Sequence, residues 1–281
     1  MMSITSPGKI NLFLDVTAKR EDGYHEILTL FLPVKGLEDR IFVEESSQLE
    51  IVCEHPGVPT DERNLCWKAA ELFAEAANIS AQWKITIEKN LPVAGGMGGG
   101  SSNAGSLLKL LSERFPGKVS SDHLKKIALK IGADVPFFLN PLPSIASGVG
   151  EELERTALRR DIHSLLITFP FPVAASWAYV NRNQGFSRSQ INKEKLEKLW
   201  QEGELSSLVY NDLSFALRGK FPILQQAKDD LLSCGALGAE VSGSGPTVFA
   251  IFETEEKRDR CRGTLLAQGY SADQLIAVSA G

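Results

Sequence analysis

Residues 92–103 read PVAGGMGGGSSN, and five of these twelve residues are glycine. Glycine has no Cβ atom, so this loop can adopt positive φ angles and bring its backbone N–H groups close to a ligand. Residues 83–91 before the loop alternate apolar and polar side chains and predict a strand, whereas the leucine spacing in residues 101–111 predicts a helix. A glycine loop between a strand and a helix predicts phosphate binding at the first turn of that helix.

The common phosphate-binding loops differ from this one. Ser101 follows Gly100 where a Walker A loop requires lysine. A Rossmann loop follows the first strand of its domain, but about 90 residues of strand-rich sequence precede this loop. The H-R-D and D-F-G elements of protein kinases are absent, and residues 100–104 lack the final glycine of a hydrolase nucleophile elbow. A flexible linker is a poor alternative because the loop lies inside an α/β unit.

Composition indicates an ordinary globular protein. The 281 residues are 43% hydrophobic and 23% charged, and the net charge of -5 argues against a nucleic-acid-binding surface. The chain lacks the pattern of a secretory signal and any apolar run long enough for a membrane span, which predicts a cytoplasmic protein with no membrane partner. The four cysteines form no C-x-x-C pair and the four histidines are scattered, so we expect reduced thiols and no structural metal.

The remaining sequence predicts strands in the first half and mixed helices and strands in the second. Asn64 is the expected cap of the helix that follows it. The sequence becomes charged and irregular over residues 151–161, which suggests a domain boundary near residue 155. The predicted strands cover residues 10–16, 27–34, 39–45, 49–53, 83–91, 165–169 and 247–252, and the predicted helices lie near residues 65–76, 101–111, 121–132, 176–180, 193–199 and 223–232.

Three separated segments resemble the motifs of the GHMP kinases, the family that includes galactokinase, homoserine kinase and mevalonate kinase. They are residues 7–12 (PGKINL), residues 92–104 and residues 241–249 (VSGSGPTVF). The resemblance implies an ATP-dependent kinase that phosphorylates a small-molecule alcohol. It also implies a two-lobed α+β fold, with an S5-like N-terminal lobe that binds ATP in residues 1–155 and an α/β C-terminal lobe in residues 156–281.

Two further segments are similar to one branch of this family: residues 19–27 (KREDGYHEI) and residues 131–138 (IGADVPFF). Enzymes of that branch phosphorylate the 2-hydroxyl of a cytidine diphosphate-linked methylerythritol in the non-mevalonate (MEP) route to isoprenoids and terpenoids. The alternatives are a GHMP kinase of the homoserine or mevalonate type, or a nucleotide-binding regulator without catalysis. Tyr24 and His25 argue against the first alternative, whereas Lys9 and Asp134 argue against the second. We expect a monomer or a homodimer.

The resemblance assigns catalysis to Lys9 and Asp134. Asp134 is expected to accept the proton of the substrate hydroxyl, and the charge of Lys9 is expected to offset the negative charge that develops during transfer. The sequence places Asp134 after the helix-ending Gly132 and before an extended Val135–Pro136. Read without the resemblance, these residues would be a helix cap and a surface lysine.

The resemblance also implies the binding residues. Tyr24 and His25 are expected to recognise the cytosine, with Tyr179 on its other face. Asn11 is expected to bind the substrate hydroxyls or the base of the site, and Asn64 with Leu65 to line the adenine pocket. Gly243, Ser244 and Gly245 are expected to bind substrate, with further N–H groups near the substrate diphosphate or the ATP loop. The expected ATP-binding residues are Pro92, Val93, Ala94, Gly95, Gly96, Met97, Gly98, Gly99, Gly100, Ser101 and Ser102. Mg²⁺ should accompany ATP, with Ser102 as a candidate ligand but no assigned protein metal site.

Overall fold

A computed structural model describes residues 1–157, 161–182 and 189–281 of the chain. The strands are β1 (Met2–Lys19), β2 (His25–Glu45), β3 (Glu50–Val52), β4 (Trp83–Glu88), β5 (Ser144–Ser147), β6 (Glu152–Arg155), β7 (Ile162–Ile167), β8 (Tyr210–Asn211), β9 (Gly238–Val241), β10 (Val248–Phe252) and β11 (Leu275–Ala280). The α-helices are α1 (Leu65–Ala77), α2 (Gly99–Arg114), α3 (Ser121–Ile131), α4 (Val135–Phe138), α5 (Ala175–Asn181), α6 (Lys193–Glu202), α7 (Ser214–Lys220), α8 (Pro222–Ser233) and α9 (Glu255–Ala267).

The described residues form two compact units, each made of discontinuous segments. Unit 1 comprises residues 1–8, 37–93 and 98–141, and unit 2 comprises residues 9–36, 94–97 and 142–281. These limits differ from the division at residue 155 that the sequence suggests, because β1, β2 and the glycine loop contribute to both units. The assignment of residues 1–155 and 156–281 to two lobes stays a prediction.

Unit 1 packs three helices against a small sheet. The second part of β2 pairs antiparallel with β4, from Arg40 opposite Glu88 to Glu45 opposite Trp83, and β4 pairs parallel with β3. Its core joins Ile41 and Ile85 of the sheet to side chains of α1, α2 and α3. The predicted cap of α1 is confirmed, since the Asn64 side chain accepts a hydrogen bond of 2.9 Å from the Cys66 N–H.

Unit 2 is built on an antiparallel sheet. Its strands lie in the order β2, β11, β7, β10, β9, and β5 pairs with the first part of β2. The helices α8 and α9 pack on this sheet and bury an apolar core that includes Leu165, Val248 and Leu265. The short strand β8 pairs parallel with β1. Unit 2 therefore combines a broad sheet with the N-terminal strand that carries the predicted active-site lysine.

The predicted strands and helices are confirmed in outline, but several elements were not predicted. Residues 135–136 were expected to be extended and instead begin α4, because a proline in the first helical turn lacks only an N–H that needs no partner there. The charged residues 152–155 form β6, whose side chains are mostly exposed. The helix α9 was not predicted because its sequence has only a weak amphipathic pattern: its buried residues are Arg258, Cys261 and Leu265. The elements β5, α4, β6, β8, α7, β9, α9 and β11 were all missed.

None of the helices in the described parts of the chain is long and apolar enough to cross a membrane.

Candidate active site

Lys9 lies at the start of a buried chain of hydrogen bonds in unit 2. Its Nζ atom donates to Asn11 Oδ1 at 2.5 Å, and Asn11 Nδ2 donates to Thr29 Oγ1 at 2.9 Å. Thr29 in turn donates to the Phe13 carbonyl at 2.6 Å. Lys9 is only 4% exposed, and its ammonium lies 5.0 Å from the centre of the Phe31 ring. The surface role that a lone lysine would suggest is therefore wrong for Lys9.

The front half of the glycine loop packs on the C-terminal glycine turn within unit 2. Gly95 accepts a hydrogen bond of 3.2 Å from the Thr247 N–H, and the Ser242 hydroxyl donates to the Gly96 carbonyl at 3.0 Å. Gly96 has a φ of 76°, and a Cβ atom there would lie 2.1 Å from the Ser242 carbonyl oxygen. Close backbone packing between two distant segments therefore requires glycine at position 96.

Gly243 brings this turn to Lys9 and Asn11. A Cβ atom at Gly243 would lie 3.1 Å from the Gly96 carbonyl oxygen, 3.4 Å from Asn11 Oδ1 and 3.5 Å from Lys9 Nζ. The Lys9 N–H also donates to the Met97 carbonyl at 3.0 Å. The structure therefore assembles three separated motifs of the sequence at one place in unit 2: an ammonium, a carboxamide and two glycine segments.

The rear half of the glycine loop opens α2 in unit 1. Gly98 occupies the N-cap position with a left-handed backbone, and among the described residues no side chain caps this end of the helix. In the front half of the loop, Ala94 has a positive φ of 53°, a conformation that costs energy for a residue other than glycine. An uncapped helix start offers N–H groups and the positive end of the helix dipole to an anion, as the sequence predicts.

The Ser102 side chain is committed to the protein interior of unit 1. Its hydroxyl donates to the Pro7 carbonyl at 2.6 Å and lies 2.7 Å from the Ser6 hydroxyl, and the residue is fully buried. Ser102 therefore does not fit the role of a magnesium ligand. Throughout residues 1–157, 161–182 and 189–281, no cluster of three or more histidine, cysteine, aspartate or glutamate side chains is arranged to hold a metal ion.

Asp39 supports both ends of the glycine loop, a role that no sequence pattern predicts. Its fully buried carboxylate accepts hydrogen bonds from Lys89 Nζ at 2.5 Å and from the N–H groups of Asn90 and Leu91 at 2.7 and 2.8 Å. It also accepts a bond of 2.8 Å from Asn103 Nδ2. Asp39 therefore joins the end of the strand before the glycine loop to the first turns of α2.

Asp134 follows α3 and precedes α4 in unit 1. The cap of α3 is Gly132, whose carbonyl accepts a hydrogen bond of 3.1 Å from the Val135 N–H. This bond closes a tight turn around Asp134, which has a helical backbone and is half-buried. The turn fixes the backbone from which the predicted general base projects.

His25 and Tyr179 form a second cluster in unit 2. Their rings stack with centroids 5.2 Å apart and planes 23° from parallel. Burial lowers the pKa of His25, and the positive charges of Arg182 and Lys19 lower it further, so the ring is neutral at pH 7. Tyr24 precedes His25 and is 63% exposed. The structure therefore brings the two predicted base-binding rings together and leaves Tyr24 accessible beside them in the chain.

Asn211 is a further buried polar residue that sequence reasoning missed. Its Nδ2 atom donates to the carbonyls of Val241 and Gly243, both at 2.7 Å. These bonds hold the glycine turn that lies beside Lys9 and Asn11. The sequence offered no local signal, since an asparagine 32 residues before its partner reads as an ordinary turn residue.

Comparisons with known proteins agree with this arrangement. The GHMP kinases N terminal domain matches residues 64–140, and the GHMP kinases C terminal domain matches residues 195–271. The chain belongs to the GHMP kinase family, which confirms the predicted α+β fold and the predicted class of enzyme.

Within that family the chain is similar to 4-diphosphocytidyl-2-C-methyl-D-erythritol kinases. One from Clostridium perfringens is 40% identical over 259 residues, which cover 90% of this chain and 89% of the relative. One from Chlorobium limicola is 36% identical over 96% of this chain and 94% of its own length. A crystal structure of 4-(cytidine 5'-diphospho)-2C-methyl-D-erythritol kinase matches with a TM-score of 0.82 and 32% identity, over 100% of this chain and 99% of the other.

A crystal structure of homoserine kinase from Cytophaga hutchinsonii also matches, with a TM-score of 0.78 over 99% of this chain and 94% of the other. Its sequence is only 18% identical, so this similarity extends to the fold alone.

Proposed function

We propose that this protein transfers the γ-phosphate of ATP to the 2-hydroxyl of 4-diphosphocytidyl-2-C-methyl-D-erythritol, a step of the MEP pathway of isoprenoid synthesis. The similarity to kinases of that name over nine-tenths of the chain supports this substrate. The observation that carries the choice is the stacked pair of His25 and Tyr179, a flat aromatic surface of the kind that binds a nucleobase. A neutral His25 ring presents both a donor and an acceptor to a base edge.

The reaction needs positioning and charge compensation more than covalent chemistry. Asp134 accepts the proton of the 2-hydroxyl while that oxygen attacks the γ-phosphorus in line and ADP departs. Lys9 offsets the negative charge on the transferring group. Its hydrogen bond to Asn11 and its contact with Phe31 hold the ammonium in one position, which lowers the cost of reorganisation during transfer.

The role of the glycine loop is to bind the phosphates of ATP. Residues 98–102 present the uncapped start of α2, and residues 94–97 are fixed against the glycine turn of residues 242–245. Mg²⁺ bound with ATP would neutralise part of the charge on the phosphate oxygens. Ser102 is unsuited to hold this ion because its hydroxyl donates to the Pro7 carbonyl.

The substrate is tested by an ADP-release assay with a panel of alcohols. We expect turnover with 4-diphosphocytidyl-2-C-methyl-D-erythritol and none above background with homoserine or mevalonate. Turnover with homoserine or mevalonate alone would assign the protein to another branch of the family. Nucleotide binding without turnover on any member of the panel would support a regulator instead.

The role of Asp134 is tested by Asp134→Asn, which keeps the size of the side chain but removes the base. We expect kcat to fall by about 10²–10⁴, the range that general bases contribute, with little change in the Kd of either substrate. Full turnover with intact binding would refute this role. The cytoplasmic location and the monomeric or homodimeric state remain predictions of the sequence.

A further inference from the structure

The short strand β8 is fixed to the strand that carries Lys9 and Asn11. Tyr210 lies opposite Phe13 and Asn211 opposite Leu14 in a parallel pair, and the Asp212 N–H donates to the Leu14 carbonyl at 2.9 Å. Asn211 and Asp212 are each 1% exposed. Two adjacent polar side chains are therefore buried at one well-defined point of unit 2.

Asn211 is held from two directions. Its Nδ2 atom bonds to the carbonyls of Val241 and Gly243, and its Oδ1 atom accepts from the Leu213 N–H at 2.9 Å. Because the amide bonds on both sides, the backbone beside it has little freedom to shift. The backbone position of Asp212, the next residue, is therefore well defined.

Asp212 forms a buried ion pair with Arg182, and their side chains are 0% and 6% exposed. Arg182 is the cap residue at the C-terminal end of α5, and Tyr179 lies in the last turn of that helix. A positive charge there also interacts favourably with the helix dipole. The helix is only seven residues long, and it buries only Ala178 among its residues. The ion pair is therefore a strong restraint on the end of α5 that bears Tyr179.

We propose that Asp212 is a positioning residue that sets substrate affinity: through Arg182 it holds Tyr179 against His25 and so forms the base-binding surface. The inference rests on the proposed function, because it takes the His25–Tyr179 surface as the cytosine site. A buried ion pair of this kind contributes little net stability compared with apolar residues, but it fixes one geometry. Tyr179 also packs against an apolar cluster that includes Ala178 and Leu213, so we expect loss of the ion pair to shift Tyr179 without unfolding the protein.

The test replaces both charges at once with Arg182→Met and Asp212→Asn, so that neither is left buried without its partner. The KM for the cytidyl substrate should rise about tenfold. A change of this size corresponds to the largest free energy that one aromatic pair usually contributes. The KM for ATP and kcat should stay within about twofold of the wild type. The matched control is Lys193→Met with Glu154→Gln, which removes an ion pair whose side chains are 35% and 61% exposed and should change none of the three constants.

Tyr179→Ala provides a second variant that leaves the ion pair intact, and it should raise the same KM at least as much. Because the pair acts through Tyr179, the variant that combines all three substitutions should have the same KM as Tyr179→Ala alone. The proposal would be overturned if the folded double variant, or Tyr179→Ala, kept the wild-type KM for the cytidyl substrate. It would also be overturned if the double variant raised both KM values and lowered kcat together. If the wild-type protein did not turn over the cytidyl substrate, the proposed function itself would be refuted. If the wild-type protein turned it over but the variants behaved otherwise than expected, only the role of Asp212 would be refuted.

Discussion

Gly96→Ala tests the packing of the two glycine segments, because the chain contains a matched control. Gly96 and Gly117 have the same φ of 76°, but their surroundings differ. A Cβ atom at Gly96 would lie 2.1 Å from the Ser242 carbonyl oxygen and 2.9 Å from the Gly245 nitrogen, whereas a Cβ atom at Gly117 would have no heavy atom within 4 Å. The difference between the two variants therefore isolates the steric clash from the backbone cost.

The magnitudes follow from these distances. Each alanine would adopt a left-handed backbone at a cost of about 1–2 kcal/mol, and this is all that Gly117→Ala should lose. At Gly96 the contacted backbone would also have to move by more than about 1 Å, and overpacking of this kind costs about 1–3 kcal/mol more. Urea unfolding should therefore show Gly96→Ala to be less stable than Gly117→Ala by about 1–3 kcal/mol with similar m values.

The same pair should separate in catalysis. We expect Gly96→Ala to raise the KM for ATP or lower kcat in the ADP-release assay, because the shifted turn of residues 242–245 lies beside Lys9 and Asn11. Gly117→Ala should leave both constants unchanged. Equal stability and equal kinetics of the two variants would refute the close packing of residues 94–97 on this turn.

Further outcomes are expected for Lys9, Asp39 and His25. Lys9→Met should lower kcat by about 10²–10³ in the ADP-release assay, with wild-type kcat contradicting its catalytic role. Asp39→Ala should lower the free energy of unfolding by about 3–5 kcal/mol because its lysine partner stays buried and charged, whereas Asp161→Ala in an exposed pair should change it by less than about 1 kcal/mol. His25 should titrate below 6.5 by NMR, and Lys19→Met should raise that pKa; a pKa at or above 6.5 would contradict the burial of the ring. Since the unfolded chain then binds more protons, His25 should make the free energy of unfolding fall as pH drops from 6.5 towards the native pKa, a dependence that His25→Gln should remove.

The elements that could be predicted depend on residues that lie close together in the sequence. The Asn64 side chain accepts the hydrogen bond that caps α1 from the Cys66 N–H, two residues further on. The glycine loop lies directly between a strand and a helix, so each signal is contained in a short stretch of sequence. The same holds for α3, which begins at Ser121 as predicted and is capped by the Ser120 side chain. These elements depend on residues a few positions apart, which is the range in which sequence patterns are informative.

The supporting polar residues depended on distant contacts and could not be predicted. Asp39 finds Lys89 and Asn103 at separations of 50 and 64 residues, and Asn211 finds Gly243 at 32. In the sequence each is an unremarkable polar residue at the edge of an apolar segment. Only the folded chain shows that their carboxylate and amide groups are buried and hold the glycine segments in place.

The proposed transfer is tested most directly by identifying its product. The purified protein is incubated with ATP, Mg²⁺ and 4-diphosphocytidyl-2-C-methyl-D-erythritol, and the products are followed by ³¹P NMR. We expect a new phosphomonoester signal on the 2-oxygen of the methylerythritol, formed in step with ADP and at least about 100-fold more slowly with Asp134→Asn. ADP formation without this signal, or a phosphomonoester at another oxygen, would contradict the proposal.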